Sequence, residues 1–456
     1  MRAWEKVSWE AGKREESVIA QVGKEIARAV LERTAPEDSI LLLAGSGHNG
    51  DDVRAAVPHL CQRKLQLLEV TEPKKSLHEL TTALQDRPRF VVDGLFGIGL
   101  NRPLGPDWVE LIGHLNQSTV PVISIDVPSG LDANSGKVET ASVQAEITLT
   151  VGAPKTGLLQ TGAAQYVGRL VVLENTGLVP CPIQTEWQWT IESDFKEYPP
   201  LRRVDSHKGT YGHVAIVGGS LGYHGAAILA ARGAMRAMPG LVSVMTSPHV
   251  YTPVASQLQG AMVHPFRPVS KLPENSTALV IGPGLAAPEA HGEFAVFTND
   301  CWQDFPLPVI VDASALDWLE SGHTPLNSRR IITPHPGEAA RMLNCTAMDI
   351  QENRFEALRR LSSKFGNCWV ILKGHHTLIG RNHGEIFINS SGNPFMAQGG
   401  TGDVLAGFLG GLLAQPRLQA NPVKALRYGV WRHGTAADSL TDRQDSWSAE
   451  DLARSL

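Results

Sequence analysis

Three glycines, a threonine and one acid stand together at Gly399-Gly400-Thr401-Gly402-Asp403, and an apolar run from Val404 to Leu413 follows at once. Glycines let backbone N–H groups approach a phosphate closely. A helix starting near Gly402 aims its positive end at the same point. A carboxylate there sits beside a bound anion, a poor resting place unless it moves protons. The segment reads as a nucleotide-phosphate cradle with a built-in base, Asp403. Upstream, Lys373-Gly374-His375-His376-Thr377 sets an ammonium beside an accessible backbone. Its uncharged, strand-ending context favours a phosphate ligand over a solvated surface lysine. Thr333-Pro334-His335-Pro336-Gly337-Glu338 presents His335 rigidly between two prolines, as a ligand contact. Glu338 is balanced between helix cap and ligand contact. Asp312, at a strand end, either caps a helix or holds a substrate hydroxyl.

The first half carries a second constellation. Gly45-Ser46-Gly47-His48-Asn49-Gly50 follows a strand, and Glu69 lies about 20 residues on, the spacing of a dinucleotide-binding unit. Asp51 and Asp52 follow directly, however, where a pyrophosphate needs a helix start free of anions. Asn49 and two acids suit a cation and hydroxyls better. Asp93 and Asp126 each follow apolar strands, the second within Asp126-Val127-Pro128-Ser129-Gly130. Either alone is readily a cap; the pair, with that Gly-rich turn, points to a site.

These groups need elements to hold them. Apolar runs at Ile40–Ala44, Leu65–Val70, Phe90–Val92, Val120–Ile125, Ile147–Thr150 and Leu170–Leu173 alternate with helical spacing such as residues 16 to 33. The pattern restarts at His213–Val217, Ala278–Ile281, Pro308–Val311, Arg330–Ile332 and Trp369–Leu372, with a small-residue helix at Gly225–Ala237. Residues 174 to 206, with four prolines and little periodicity, read as a connection. Strands alternating with helices imply two doubly wound α/β domains. Ligands in such sheets bind beyond the carboxyl ends of the strands. The turns at Gly282-Pro283-Gly284, Asp312-Ala313, His335-Pro336 and Lys373-Gly374 therefore share one cleft with the Gly399 loop.

Composition sets the outer bounds. At 456 residues the chain suits two domains. A net charge of -5 with no basic block excludes nucleic acid as the expected partner. Five scattered cysteines, without a CxxC pair, suggest neither a zinc site nor a disulfide framework. No run approaches the length of a membrane span, and Met1–Lys6 lacks a signal-peptide core. The expected setting is cytoplasmic and membrane-free, and a homo-oligomer is expected.

The C-terminal blocks occur in one order: His207-Lys208-Gly209-Thr210-Tyr211-Gly212, Val217-Gly218-Gly219-Ser220, Gly225-Ala226, Gly282-Pro283-Gly284-Leu285, Asp312-Ala313, His335–Glu338, Lys373-Gly374 and Gly400–Asp403. Together they resemble the NAD(P)H-hydrate dehydratase domain, a ribokinase-like three-layer sandwich, over residues 200–456. That domain restores NAD(P)H from its hydrates NADHX and NADPHX, using ADP in bacteria and ATP in eukaryotes. The resemblance implies that Lys373, Gly374, His375, His376, Thr377 and Gly402 bind the nucleotide. It implies that Ala226, Gly284, His335 and Asp403 meet the hydrated dinucleotide. Mg²⁺ fits phosphoryl transfer, although no ligand cluster shows in the sequence. Met238-Pro239 stands where this family usually has Ala-Gly, and Phe395 and Gln398 interrupt a simpler lead-in.

With the Gly47 loop, Val92–Pro103 and Ile125–Asp132 resemble the NAD(P)H-hydrate epimerase domain, a Rossmann-like three-layer sandwich, over residues 1–190. Fusion of the two is the bifunctional repair enzyme. The resemblance implies a K⁺ site from Asn49, Asp93 and Ser129, hard oxygen ligands that suit an alkali cation. It implies substrate contacts from His48, Asn49, Gly50, Asp51, Asp52 and the segment Gly97, Ile98, Gly99, Leu100, Asn101, Arg102, Pro103, with Asp126 as proton carrier. The family loop usually reads Gly-Asn-Asn-Gly-Gly-Asp-Gly. Here Asp51 adds like charge near a phosphate, Val53 replaces a glycine, and Pro58 interrupts the next helix. These departures weigh against an unimpaired epimerase half. Rival readings are a ribokinase-type small-molecule kinase, a non-catalytic dinucleotide-binding protein and an NAD-dependent dehydrogenase.

Overall fold

A computed structural model describes residues 1–100, 102–267, 271–324 and 329–456. It divides into two compact units, Met1–Gln184 and Thr185–Leu456. In the first, strands β1 (Ser39–Ala44), β2 (Lys64–Glu69), β3 (Phe90–Gly94), β4 (Val122–Ile125), β5 (Ile147–Val151) and β6 (Arg169–Leu173) form one parallel sheet in the order β2-β1-β3-β4-β5-β6. Its central strands are apolar on both faces because helices cover both. Ile40 and Leu42 of β1 pack with Val22, Ile26 and Val30 of the helix Glu15–Leu31. Leu41 and Leu43 turn to Leu80, Leu111 and Leu115 on the helices Pro73–Gln85 and Pro106–Gln117.

The described residues of the second unit form ten strands: β7 (Trp187–Trp189), β8 (His213–Val217), β9 (Leu241–Thr246), β10 (Met262–Pro265), β11 (Ala278–Ile281), β12 (Val309–Val311), β13 (Arg330–Ile332), β14 (Trp369–Leu372), β15 (Leu378–Gly380) and β16 (Ile386–Ile388). Their order is β10-β9-β8-β11-β12-β13-β14-β15-β16-β7. Pairing is parallel except for the antiparallel β14-β15 and β15-β16 contacts. The connection at 174–206 thus hides a strand. β7 is three half-buried residues, too short for periodicity, yet it pairs with β16 and closes the sheet edge. β10, largely exposed, was equally silent in sequence.

One packing decision places the C-terminal site. The helix Thr401–Leu413 is apolar all round, and eleven of its thirteen residues are buried. It lies against the helix His224–Arg236, where the backbones nearly touch. A Cβ on Gly407 would fall 1.8 Å from the Ala230 carbonyl oxygen, and one on Gly233 would fall 2.2 Å from that of Val404. Small residues on both helices therefore fix where the N-terminus of the first one points. Among the described residues no helix is long and apolar enough to cross a membrane.

Candidate active sites

In both sheets the chain reverses its winding direction between neighbouring strands, β1/β3 in the first and β8/β11 in the second. Such switch points open a crevice beyond the strand ends. In the second unit Asp312 follows β12, Thr333 and His335 follow β13, and Lys373 follows β14. Lys373 Nζ donates to Asp312 Oδ1 at 2.9 Å and lies 3.7 Å from Glu338 Oε2. Thr333 Oγ1 braces the same Asp312 oxygen at 2.6 Å. A Cβ on Gly402 would stand 3.3 Å from the ammonium, so the glycine loop and Lys373 share one spot.

Gly400 starts the loop-to-helix turn at φ +94, and no side chain caps the helix that follows. The amides of its first turn are left without intrahelical partners. Thr401 instead turns its hydroxyl back to the carbonyls of Met396 and Gln398 at 3.0 and 3.1 Å, and His433 Nε2 donates to the Thr401 carbonyl at 3.0 Å. Asp403 is mostly buried beside Lys373, and its pKa is pushed up to about 7. Burial is the main cause; Asp312 and Glu338 add to it and Lys373 opposes it. Burial alone would lower the Lys373 pKa, but Asp312 and Glu338 raise it above the usual lysine value. A fixed ammonium thus stands beside a carboxyl poised near neutrality.

His335 and Glu338 form a reciprocal cap on the helix Pro336–Leu343. His335 Nδ1 accepts from the Gly337 and Glu338 amides at 3.0 and 3.3 Å, and Glu338 Oε2 accepts from the His335 amide at 2.7 Å. Accepting at Nδ1 puts the imidazole proton on Nε2, which lies 3.5 Å from Glu338 Oε1 on a half-exposed ring. Burial holds its pKa below the usual value, against the pull of Glu338. Ala226 and Gly284 lie together: a Cβ on Gly284 would be 3.0 Å from Ala226 Cβ. Of the two expected nucleotide histidines, His376 turns inward. Its ring meets Trp189 edge-on at 5.0 Å, Nδ1 donates to the Asn389 carbonyl at 3.2 Å, and Nε2 is buried without a partner. Only its backbone can face a ligand.

In the first unit Asn49 and Ser129 converge on the Phe96 carbonyl, and Asp93 holds Ser129. Asn49 Nδ2 donates to Phe96 O and Ile125 O at 2.9 and 3.0 Å. Ser129 Oγ donates to Asp93 Oδ1 at 2.6 Å and lies 3.3 Å from Phe96 O. Asp93 is fully buried and takes further bonds from Ser124 Oγ and the Ser129 and Leu95 amides, but among the described residues no basic side chain pairs with it. Burial pushes its pKa up, partly offset by the Ser129 and Ser124 bonds.

Asp126 adopts φ +62, a left-handed conformation costly for a non-glycine residue. It is ion-paired with Lys155, and its Oδ1 accepts from the Val151 amide at 3.0 Å. Lys155 escaped sequence reading. The signal was there, since Lys155 lies four residues past the end of β5, in the turn Gly152-Ala153-Pro154-Lys155. Asp52 lies nearby with a pKa pushed up to about 8, by burial first and then by Asp126 and Asp51.

The three expected defects are each accommodated. Arg54 Nη1 bonds Asp51 Oδ1 at 2.8 Å, while Nε and Nη2 fork onto Glu69 at 3.0 and 2.5 Å. Asp51 is therefore neutralised, and Glu69 is not free for a ribose, which removes the main support for a dehydrogenase. Val53 lies within the helix His48–Ala56 and is fully buried, with Gly94 leaving room for its Cγ2. No positive φ is lost there. Pro58 sits in a 3₁₀ turn after that helix has ended. His48 pairs with Glu15 at 3.1 Å on the surface. Gly50 lies against the Gly45 carbonyl. Gly97, Ile98, Gly99 and Leu100 follow β3, Arg102 and Pro103 are exposed, and Asn101 lies outside the described residues.

An uncapped helix start facing a lysine and a near-neutral carboxyl, on a doubly wound sheet, defines the class of nucleotide-using α/β enzymes with a ribokinase-like fold. Residues 214–456 match the NAD(P)H-hydrate dehydratase family, and residues 65–157 match the family described as YjeF-related protein N-terminus. The bifunctional NAD(P)H-hydrate repair enzyme of Coxiella burnetii is 32% identical over 97% of this chain and 94% of its own length. That of Escherichia coli is 33% identical over 88% and 81%. A solved ADP/ATP-dependent NAD(P)H-hydrate dehydratase of Bacillus subtilis, co-crystallised with ATP and Mg²⁺, is 32% identical with a TM-score of 0.50, covering 56% of this chain and 91% of that one. The chain belongs to the bifunctional NAD(P)H-hydrate repair enzymes, with both dehydratase and epimerase domains present.

Proposed function

We propose that the second unit dehydrates the S form of NADHX or NADPHX at the expense of a nucleotide, with Asp403 as base. The observation that carries this reading is the mostly buried Asp403 beside Lys373 at an uncapped helix N-terminus. Hydroxide is a poor leaving group, so the C6 hydroxyl must be activated. Asp403 takes its proton as the terminal phosphoryl of ADP or ATP passes to the C6 oxygen. The first-turn amides and Lys373 stabilise the charge on the phosphoryl oxygens. The C6–O bond then breaks with phosphate as leaving group, the ring nitrogen supplies the electron pair, and loss of a C5 proton restores the double bond. Among the described residues no three His, Cys, Asp or Glu side chains form a metal cluster. A Mg²⁺ ion, when bound, would rely mainly on the phosphates of the nucleotide and would help neutralise the transferring phosphoryl group.

In the first unit C6 carries both the hydroxyl and the ring nitrogen. When Asp126 removes the hydroxyl proton and delivers it to N1, the C6–N1 bond opens to an aldehyde. Rotation and the reverse transfer close the ring on either face. Lys155 orients Asp126 for both transfers. A K⁺ ion at Asn49, Asp93 and Ser129 fits a buried carboxylate that lacks a cationic side-chain partner. Five unpaired cysteines suit the reducing cytoplasm in which these cofactors are used. Incubation with mixed R,S-NADHX plus ADP or ATP, followed at the NADH absorbance band, tests both halves. Recovery beyond the S fraction requires both; a net phosphorylated product without NADH would indicate a small-molecule kinase instead.

A further inference from the structure

The turn after β14 is held from behind. Arg354 opens the helix Arg354–Lys364. Its Nη2 donates to the carbonyls of Leu372 and Lys373 at 3.1 and 3.3 Å, and its Nη1 to those of His376, at 3.4 Å, and His375. The remaining carbonyls are also engaged, that of Gly374 by Thr377 Oγ1 at 3.1 Å and that of Thr377 by the Asn389 amide at 2.9 Å. Among the described residues, the amides of Gly374, His375 and His376 have no backbone acceptor. Gly374 at φ +128 and His376 at φ +50 give the turn the alternating backbone of an anion-binding nest. A guanidinium that gathers carbonyls on one side turns such amides to the other.

We propose that Arg354 is a positioning residue for the nucleotide: it ties back the carbonyls of residues 372–376 so that the turn's amides and Lys373 face the phosphates. The inference rests on the nucleotide reading of residues 373–377 given above. No carboxylate pairs with this arginine among the described residues, and Nε has no partner at all. Its charge is therefore not spent on an ion pair and adds to the field at the turn. Arg330 is a useful contrast. It is fully buried and, among the described residues, also binds only carbonyls, of Trp302, Phe305 and Leu307, but it stands at the opposite end of its strand from His335. Its role is purely structural.

The test compares Arg354→Gln, Arg354→Lys and Arg330→Gln in the full chain, with steady-state kinetics in ADP, ATP and (6S)-NADHX below the melting temperature. For Arg354→Gln the nucleotide KM should rise about tenfold or more while the NADHX KM stays within about twofold, since several charge-assisted bonds are lost. Arg354→Lys keeps the charge but not the fork, and should fall between. Arg330→Gln should lower the melting temperature and leave both KM values unchanged. A wild-type nucleotide KM in both Arg354 variants overturns the proposal. If Arg354→Gln fails to fold, Arg354→Lys decides alone: an unchanged nucleotide KM overturns it and a raised one supports it. Lys373→Met separates the two readings. If it leaves nucleotide KM unchanged, the phosphates do not bind this turn and the reading of the whole site fails. If it raises KM while the Arg354 variants do not, only the positioning role fails.

Discussion

The two units solve one electrostatic problem in opposite ways. In the second, the ammonium of Lys373 is bonded to Asp312 and approached by Glu338, while the proposed base, Asp403, has no direct ion pair among the described residues. Burial and two neighbouring acids then push its pKa up to about 7. In the first, Lys155 bonds the proposed proton carrier Asp126 itself, and the raised carboxyl is the neighbouring Asp52. A lysine that grips bystander acids leaves a base tuned by burial. A lysine that grips the base fixes its direction. The first arrangement suits a single proton removal timed to phosphoryl transfer, and the second suits a proton that must be delivered to two different atoms and back.

Removing the bases gives the largest expected effect. Asp403→Asn should lower dehydratase kcat by about 10²–10⁴-fold, the usual range for a positioned acid or base. Nucleotide KM should change little and epimerisation not at all. Asp126→Asn or Lys155→Met should leave the dehydratase untouched, yet make recovery of NADH from mixed R,S-NADHX stop near the S fraction. Loss of both activities from either change would break the comparison.

The pH response sharpens it next. A base with a pKa of about 7 must be ionised to work, so dehydratase kcat/KM should climb toward a plateau above neutrality. Stability runs the other way. The folded pKa of Asp403 lies above its ordinary value of 3.8, so the folded state binds the extra proton. Its contribution is intact below about pH 4 and is lost as pH rises through about 7. Asp403→Asn should therefore melt at a higher temperature than the native chain at pH 8 and show little difference at pH 4. An equal difference at both pH values would show that the carboxyl is not perturbed.

Much of this was legible before any coordinates. Long apolar strands such as Ile40–Ala44 and His213–Val217 announce themselves, and the strand-end rule pointed to Asp312, His335 and Lys373. What stayed hidden is nonlocal. Nothing near Asp51 says that Arg54 will bind it and Glu69 together, because that bond spans a helix and the next strand. The capping role of His335 was missed because histidine is an uncommon N-cap. β7 was lost because three residues carry no period; its place is set by β16, about two hundred residues away.

Arg54 gives a graded test of whether the first site tolerates its departures. Arg54→Met removes the cation from Asp51 and Glu69 and should raise epimerase substrate KM about three- to tenfold, given that partly exposed pairs are worth about 1 kcal/mol. A further Asp51→Gly change should restore it. Failure of that rescue would mean that Arg54 acts on packing rather than on charge.

The smallest expected effect lies at Met238, in the Met238-Pro239 pair that stands where the family usually has Ala-Gly. This residue follows the helix His224–Arg236 and its cap Ala237, and it adopts φ +56 while exposing about half its side chain (56%). Helices end most comfortably with glycine in this left-handed conformation. Little apolar contact offsets the strain on an exposed methionine, so Met238→Gly should stabilise the second unit by about 0.5–1 kcal/mol, with the greater freedom of unfolded glycine limiting the gain. The same helix packs against Thr401–Leu413, so relief of strain at its far end tests whether the active-site geometry depends on it. Chemical denaturation reads the gain and dehydratase kcat reads the geometry. A gain with kcat unchanged would show that the site is fixed by the Ala230–Gly407 and Gly233–Val404 contacts alone, whereas a fall in kcat would make the strained turn part of the device that aims Asp403.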